Sequence, residues 1–253
     1  MRVAALYDIH GNLPALEAVL DEVRRAAVDQ VVVGGDVFPG PMAGEALEVL
    51  LGLDLPVAFL RGNGDRAVLA LAQGRDPEGV PEPQREALRW EAQRLDPAHR
   101  QALAAWPATV RLGIDGLGET LFCHGTPSSD TEIFTRETAE EQLRPVFEPS
   151  GVPLVVCGHT HMQFDRDIGD VRVVNAGSVG MPFGEPGACW LLLGPGVHLR
   201  RTRYDLEGAA ERIRATGHPQ AEAFAANNVL HPPSEREILD LFHRSRAQDA
   251  RKA

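Results

Sequence analysis

Asp8, His10, Asp36, Asn63, His124, His159 and His161 are residue types that bind metal ions, and each stands just past a predicted strand. In open α/β sheets the functional crevice lies at the carboxyl ends of the strands, so these side chains converge although the sequence spreads them widely. Mixed imidazole and carboxylate donors suit first-row divalent ions: manganese first, with iron, zinc, nickel or cobalt as alternatives. Four histidines argue against a site built for calcium or magnesium. Seven donors exceed what one such ion needs. Two ions roughly 3.5–4 Å apart, sharing a carboxylate, would absorb them and form the clamp used for in-line displacement at phosphorus.

The elements that must position these residues alternate along the chain. "VAALY" (3–7) reads as a buried strand, after which Leu16, Val19, Leu20 and Val23 recur at the spacing of one helix face. "QVVVGGD" (30–36) is a second strand, "AGEALEVLLG" (43–52) a short helix and "PVAFLRGNGD" (56–65) a third strand. A βαβαβ start implies a parallel sheet with right-handed crossovers. Residues 66 to 106 read as a helical insert, in which Asp96 and Pro97 are placed as N-cap and first helical residue. Beyond it "TVRLGI" and "ETLFCHG" form a hairpin, followed by a helix at 137–147 and strands in "VPLVVCG", "VRVVNAGSVG", "ACWLLLG" and "VHLRRTRY". The expected core is mixed β-structure in two packed sheets with helices outside. Residues 205–253 turn charged and helical, with Pro232 and Pro233 separating two short helices, and are expected to pack on the 1–204 unit as an appendage.

Composition excludes several function classes. The chain has 253 residues, a net charge of -11 and a pI near 5.3, and Lys252 is its only lysine. Tight binding to long nucleic acid or an anionic membrane is not expected. Cys123, Cys157 and Cys189 form no C-x-x-C pair and read as buried thiols. The N-terminal apolar stretch meets Asp8 too soon for a signal peptide or membrane span, and a cytoplasmic location is expected. Asp8 or Asp36 alone could end a nucleotide-binding strand, yet neither phosphate-cradling glycine motif occurs. His99, His198, His218, His231 and His243 fall in predicted helices or turns without matching partners and are set aside. Asn12 either caps the first helix or supports the ligands from behind, and Asp65 is a candidate for substrate contact or the same supporting role.

The ordered set "DIHGN" (8–12), "GGD" (34–36), "GNGD" (62–65), "CHG" (123–125) and "GHTH" (158–161), followed by "NAGSVG" (175–180), resembles the calcineurin-like metallophosphoesterase superfamily, and within it the small bacterial and archaeal phosphodiesterases. The resemblance covers roughly residues 1–204 and implies a four-layer α-β-β-α sandwich. It implies that Asp8, His10 and His161 hold one metal, that Asn63, His124 and His159 hold the other, and that Asp36 bridges both. Asp36 and Asn63 would then also be catalytic, with a bridging hydroxide as nucleophile and the Asn63 amide reaching a phosphate oxygen.

One position departs from that pattern. Many members have histidine after the motif asparagine, where it assists the leaving group, and this chain has Gly64. A glycine transfers no proton, and general acid help is typically worth about 10²–10⁴ in rate, so acidic leaving groups should be favoured. The expected substrate is a small phosphodiester of aryl or cyclic-nucleotide type. A phosphomonoesterase or protein phosphatase, a nuclease or nucleoside polyphosphate hydrolase, and a binding scaffold without chemistry are the alternatives.

Overall fold

The computed structural model describes residues 1–77, 80 and 82–249. Strand β1 (Val3–Leu6) is buried along its whole length because it lies mid-sheet with both faces covered. Its side chains alternate between two layers: Ala4 and Leu6 face the helices, while Val3 and Ala5, with Tyr7 beyond, face the second sheet. Helix α1 (Leu13–Ala26) follows, its N-terminus capped by Asn12, whose side chain accepts from Ala15 N. Its buried stripe of Leu16, Val19, Leu20 and Val23 is the one that the spacing predicts. Strand β2 (Gln30–Val33), helix α2 (Ala43–Leu51) and strand β3 (Val57–Phe59) complete the parallel start.

The third strand is shorter than expected. Asn63 and Asp65 stand not on strand residues but in the first turn of helix α3 (Asn63–Ala72), where the Asp65 carboxylate accepts the amide of Gly62 at 3.0 Å. An acid three residues into a helix satisfies amides that the turn leaves free, and this signal outweighs the apolar run before it. Helices α4 (Glu82–Arg94) and α5 (Pro97–Ala105) follow, and Asp96 caps α5 by accepting from His99 N.

Strands β4 (Thr109–Ile114) and β5 (Gly118–Cys123) form the hairpin, and helix α6 (Glu140–Phe147) leads to β6 (Leu154–Cys157). A strand absent from the sequence reading, β7 (Phe164–Ile168), pairs antiparallel with β8 (Val171–Asn175) at the sheet edge. Its "FDRDI" keeps only Phe164 and Ile168 buried, so it carries little strand signal of its own. Strands β9 (Ala188–Leu193) and β10 (Val197–Thr202) return to the first sheet.

The two five-stranded sheets run β10-β9-β1-β2-β3 and β4-β5-β6-β8-β7, both mixed. Helices α1 and α2 cover the first, α6 covers the second, and the sheets face each other through Tyr7, Val32, Leu60, Phe122, Val156 and Leu191. This is the α-β-β-α sandwich that the motifs imply. Tyr7 is wholly buried and its hydroxyl donates to Val156 O at 3.1 Å, tying one sheet to the other. Burying such a ring stabilises the fold by roughly 1.5–3 kcal/mol.

Residues after Tyr204 form more than two helices: α7 (Leu206–Arg214), α8 (Ala221–Phe224), a π-helical segment at Ala225–Leu230 and α9 (Glu235–Asp249). Pro232 and Pro233 precede α9. Ala209, Ala210, Ile213, Phe224 and Val229 share a small core, and Arg212 pairs with Glu17 of α1.

Candidate metal centre

Every ligand candidate sits where a strand has ended, and the backbone there is unusual. Asp8, His10, Asp36, His159 and His161 all have positive φ, between 46° and 67°; among the described residues Ala27 is the only other non-glycine to do so. Each such conformation costs on the order of 1–3 kcal/mol and persists only where surrounding bonds over-determine it. Those bonds run between the loops themselves. Asp8 N donates to Gly35 O at 3.1 Å, His10 N to Asp36 O at 2.9 Å, Gly180 N to Asp8 O at 3.0 Å and His159 N to Asp8 Oδ2 at 2.9 Å. Gly34 allows the second loop to come this close, since a Cβ there would lie 2.0 Å from the Tyr7 ring.

Three imidazoles are oriented from behind. Nδ1 of His10 lies 3.0 Å from Pro39 O, Nδ1 of His124 2.9 Å from Gly34 O and Nδ1 of His161 2.9 Å from Met181 O. Each ring thereby directs Nε2 forward as a metal donor does. His10 Nε2 is 3.3 Å from His161 Nε2, 3.8 Å from Asp36 Oδ2 and 3.9 Å from Asp8 Oδ1. His124 Nε2 is 3.1 Å from the Asn63 carboxamide, 3.5 Å from Asp36 Oδ2 and 3.8 Å from Asp8 Oδ1.

The donor atoms fall into two overlapping groups within reach of a single ion, Asp8–His10–His161 and Asp8–Asp36–His124. The first is the trio implied by the resemblance. In the second, Asp8 joins His124, so Asp8 as well as Asp36 faces both groups. His159 belongs to neither group, but its ring lies 5.1 Å from that of His124 and it lines the same cavity as Asn63. A third group, Glu48, Asp96 and His99, lies apart, with both carboxylates exposed.

Carboxylates and imidazoles at the centre set one another's charge. Burial disfavours the imidazolium of His124, yet the Asp36 and Asp8 carboxylates raise its pKa to about 10. Burial likewise opposes the Asp36 carboxylate, but His124 and His10 hold its pKa well below the usual range. His159, largely shielded from water and beside His124, is pushed down to about 4. Asp8 Oδ1, 3.2 Å from His161 Nε2, and His159 Nε2 are buried atoms that no hydrogen-bond partner satisfies. Such orphans are rare in proteins, and divalent ions would satisfy both, so the residues fit the metals that their chemistry suggests.

Asp65 and Asn12 stand behind the site. Asp65 accepts from Asp36 N at 2.8 Å, Phe38 N at 3.0 Å and Gly62 N, fixing the Asp36 loop. Asn12 caps α1 and also donates to Gly180 O at 3.0 Å and to Tyr204 Oη at 3.2 Å. Gly64 is not in the left-handed region; a Cβ there would lie 2.3 Å from Phe38 O and 2.7 Å from Pro39 Cδ.

The centre opens into a cavity of about 420 Å³ whose far wall comes from α4 and the tail helices. One histidine set aside earlier belongs here. His218 lines this cavity, and its Nε2 lies 3.1 Å from Glu91 Oε1, both residues being buried. Glu91 is 127 positions away and sits within an ordinary helical stretch, so the sequence offers no signal for the pair. His198 stands on strand β10, and His99 and His243 pair with Asp96 and Glu137.

The family model of the calcineurin-like phosphoesterase superfamily domain matches residues 1–194. The chain belongs to this superfamily. A superfamily fold is also what the solved structures share with it. PH1004, a hypothetical protein from Pyrococcus horikoshii, superposes with a TM-score of 0.77 at 22% identity, over 92% of this chain and 99% of that one. A metallophosphoesterase from Sphaerobacter thermophilus gives 0.68 at 27% identity, over 90% and 99%. In sequence, the uncharacterized protein MJ0912 of Methanocaldococcus jannaschii is 25% identical over 234 residues, covering 83% of this chain and 91% of that protein. No helix among the described residues is long and apolar enough to cross a membrane.

Proposed function

We propose that this superfamily member hydrolyses small phosphate diesters, of aryl or cyclic-nucleotide type, with two divalent transition-metal ions, manganese foremost. Residues 1–204 act as the catalytic unit, and the tail from residue 205 packs on it; residues 250–253 of that tail lie outside the described residues. The observation that carries this reading is the meeting of the His10, His124 and His161 Nε2 atoms around the Asp8 and Asp36 carboxylates, each ring held from behind by a carbonyl. Asp8, His10 and His161 would hold one ion and Asn63, His124 and His159 the other. Asp36 is read as the bridge because Oδ2 faces both His10 and His124. When bound, two such ions would polarise phosphoryl oxygens and lower the pKa of a shared water toward neutrality.

The chain's own residues supply position and charge. Gly64 N donates to Asp36 Oδ1 at 2.7 Å, which leaves Oδ2 for the centre. The Asn63 carboxamide, at the cavity wall, is placed to contact a phosphoryl oxygen. No side chain at Gly64 protonates a leaving group, which favours esters whose departing oxygen is acidic. A diester with one negative charge also suits a cavity whose described lining contains no Lys or Arg.

The test is a panel of mono- and diesters with aryl and alkyl leaving groups, assayed on protein reconstituted with manganese and with Asp36→Ala as control. The expected result is turnover of aryl diesters that is lost in Asp36→Ala along with one or both ions. Faster turnover of alkyl monoesters than of aryl diesters, or an inactive Asp36→Ala that keeps both ions, would contradict the reading.

A further inference from the structure

The cavity over the metal centre has two unlike walls. One is the centre itself; the other is built by α4 and the tail, through Gln84, Leu88, Gln220, Phe224, Asn227 and Asn228. Four of these six carry carboxamides, for which no hydrogen bond to another described side chain or backbone group is found, and the described lining holds no Lys or Arg. Phe224 and Leu88 are both buried and give the cavity an apolar floor.

The tail presents its two asparagines through a π-helical segment. His231 N reaches back five residues to Ala226 O at 2.9 Å, the wide-turn bond that defines it. Widening a turn changes which successive side chains share a face, and Asn227 and Asn228 both line the cavity. The wall is also held in place. His218, in the turn before α8, meets Glu91 of α4, and Glu91 accepts from Gly40 N at 2.9 Å, so one buried carboxylate joins tail, insert and the Asp36 loop.

We infer that this wall is a subsite for one of the two esterified groups of the substrate, and that this group is an uncharged planar ring with hydrogen-bond donors and acceptors on its edge, a nucleobase. This rests on the diesterase reading and narrows it. Carboxamides pair with base edges as both donor and acceptor, and an apolar floor accepts the ring face. A second phosphate or a carboxylate would find no cationic partner here, which disfavours a nucleoside polyphosphate. Pockets of this volume lie within the usual range for small ligands.

The test compares two esters that share a nitrophenyl leaving group: the nitrophenyl ester of thymidine monophosphate and methyl nitrophenyl phosphate. With manganese-loaded protein, kcat/KM for the thymidine ester should exceed that for the methyl ester by about tenfold or more, the scale of one or two hydrogen bonds. Asn227→Ala/Asn228→Ala should bring the ratio to within about threefold of one. A wild-type ratio near one, or a ratio kept by the double variant, would overturn the subsite. Binding of thymidine monophosphate, measured by calorimetry, separates the two readings. Should neither ester be turned over, the diesterase reading fails, while binding weakened about tenfold in the double variant would still support the subsite. Binding that is undetectable in the wild type, or equal in both proteins, would refute it.

Discussion

The amide of Gly64 donates to Oδ1 of Asp36 at 2.7 Å, and the space in front of it is filled by Phe38 O and Pro39. Gly64, the position that departs from the pattern of the resemblance, therefore has no room for a side chain, and its backbone is not left-handed. Gly64→Ala should lower stability by about 1–3 kcal/mol through overpacking, and Gly64→His by more. Both should also weaken metal binding by displacing Asp36. Denaturant melts and metal analysis test this, and a Gly64→Ala protein with wild-type stability and full metal content would refute it. Installing the missing acid here is thus not a route to better turnover of alkyl esters.

His161 faces His10 and Asp8, whereas His159 lies beside His124 and Asn63. His161→Ala and His159→Ala should each lower metal content by about one ion, with affinity for that ion down by roughly 10–100-fold and the fold unchanged. Titration of each variant with manganese, read by calorimetry, should show one retained and one weakened phase. Two equally weakened phases in both variants would mean that the ions are not divided as assigned.

Metal binding should release protons. In the metal-free protein His124 is held protonated up to about pH 10 by Asp36 and Asp8, after burial has worked against it. Its folded pKa is raised, so its proton stays bound through neutral pH and must leave before Nε2 can ligate. Apparent affinity should rise with pH, by about tenfold per unit for each proton displaced. Calorimetry in buffers of different ionisation enthalpy measures that proton, and a buffer-independent heat would count against it.

The buried Glu91–His218 pair should matter to stability more than any exposed ion pair. His218→Ala strands a carboxylate that is 4% exposed and already has one oxygen, Oε2, without a partner. Loss of one member of such a pair costs about 3–5 kcal/mol. Glu91→Gln, which keeps an acceptor for Gly40 N, should cost less. Equal losses, or a loss below about 1 kcal/mol for His218→Ala, would show that the pair is not a clamp.

Much of the site is legible because its residues follow strands, and strands that are buried on both faces write themselves as apolar runs. Asp8, Asp36, His124, His159 and His161 are found this way. Asn63 and Asp65 are found for the wrong local reason, since the loop after β3 tightens at once into α3. The left-handed backbone at five of the candidates is hidden, as only the neighbouring Gly11 and Gly35 hint at it. The cavity's far wall is hidden too. His218 and Glu91 meet only through tertiary packing, the edge strand β7 has three charged residues in five, and a π-helical turn has no recognisable composition.

The last strand ends at Thr202, and all seven ligand candidates precede residue 162, but the wall that faces them is completed by Asn227 and Asn228. A growing polypeptide emerging from the ribosome would therefore present the sheets and the seven candidate residues before the side chains that complete the cavity's far wall. On the proposed function, loading with metal and selection of substrate would become possible at different moments in the life of the molecule, the first before that wall is in place.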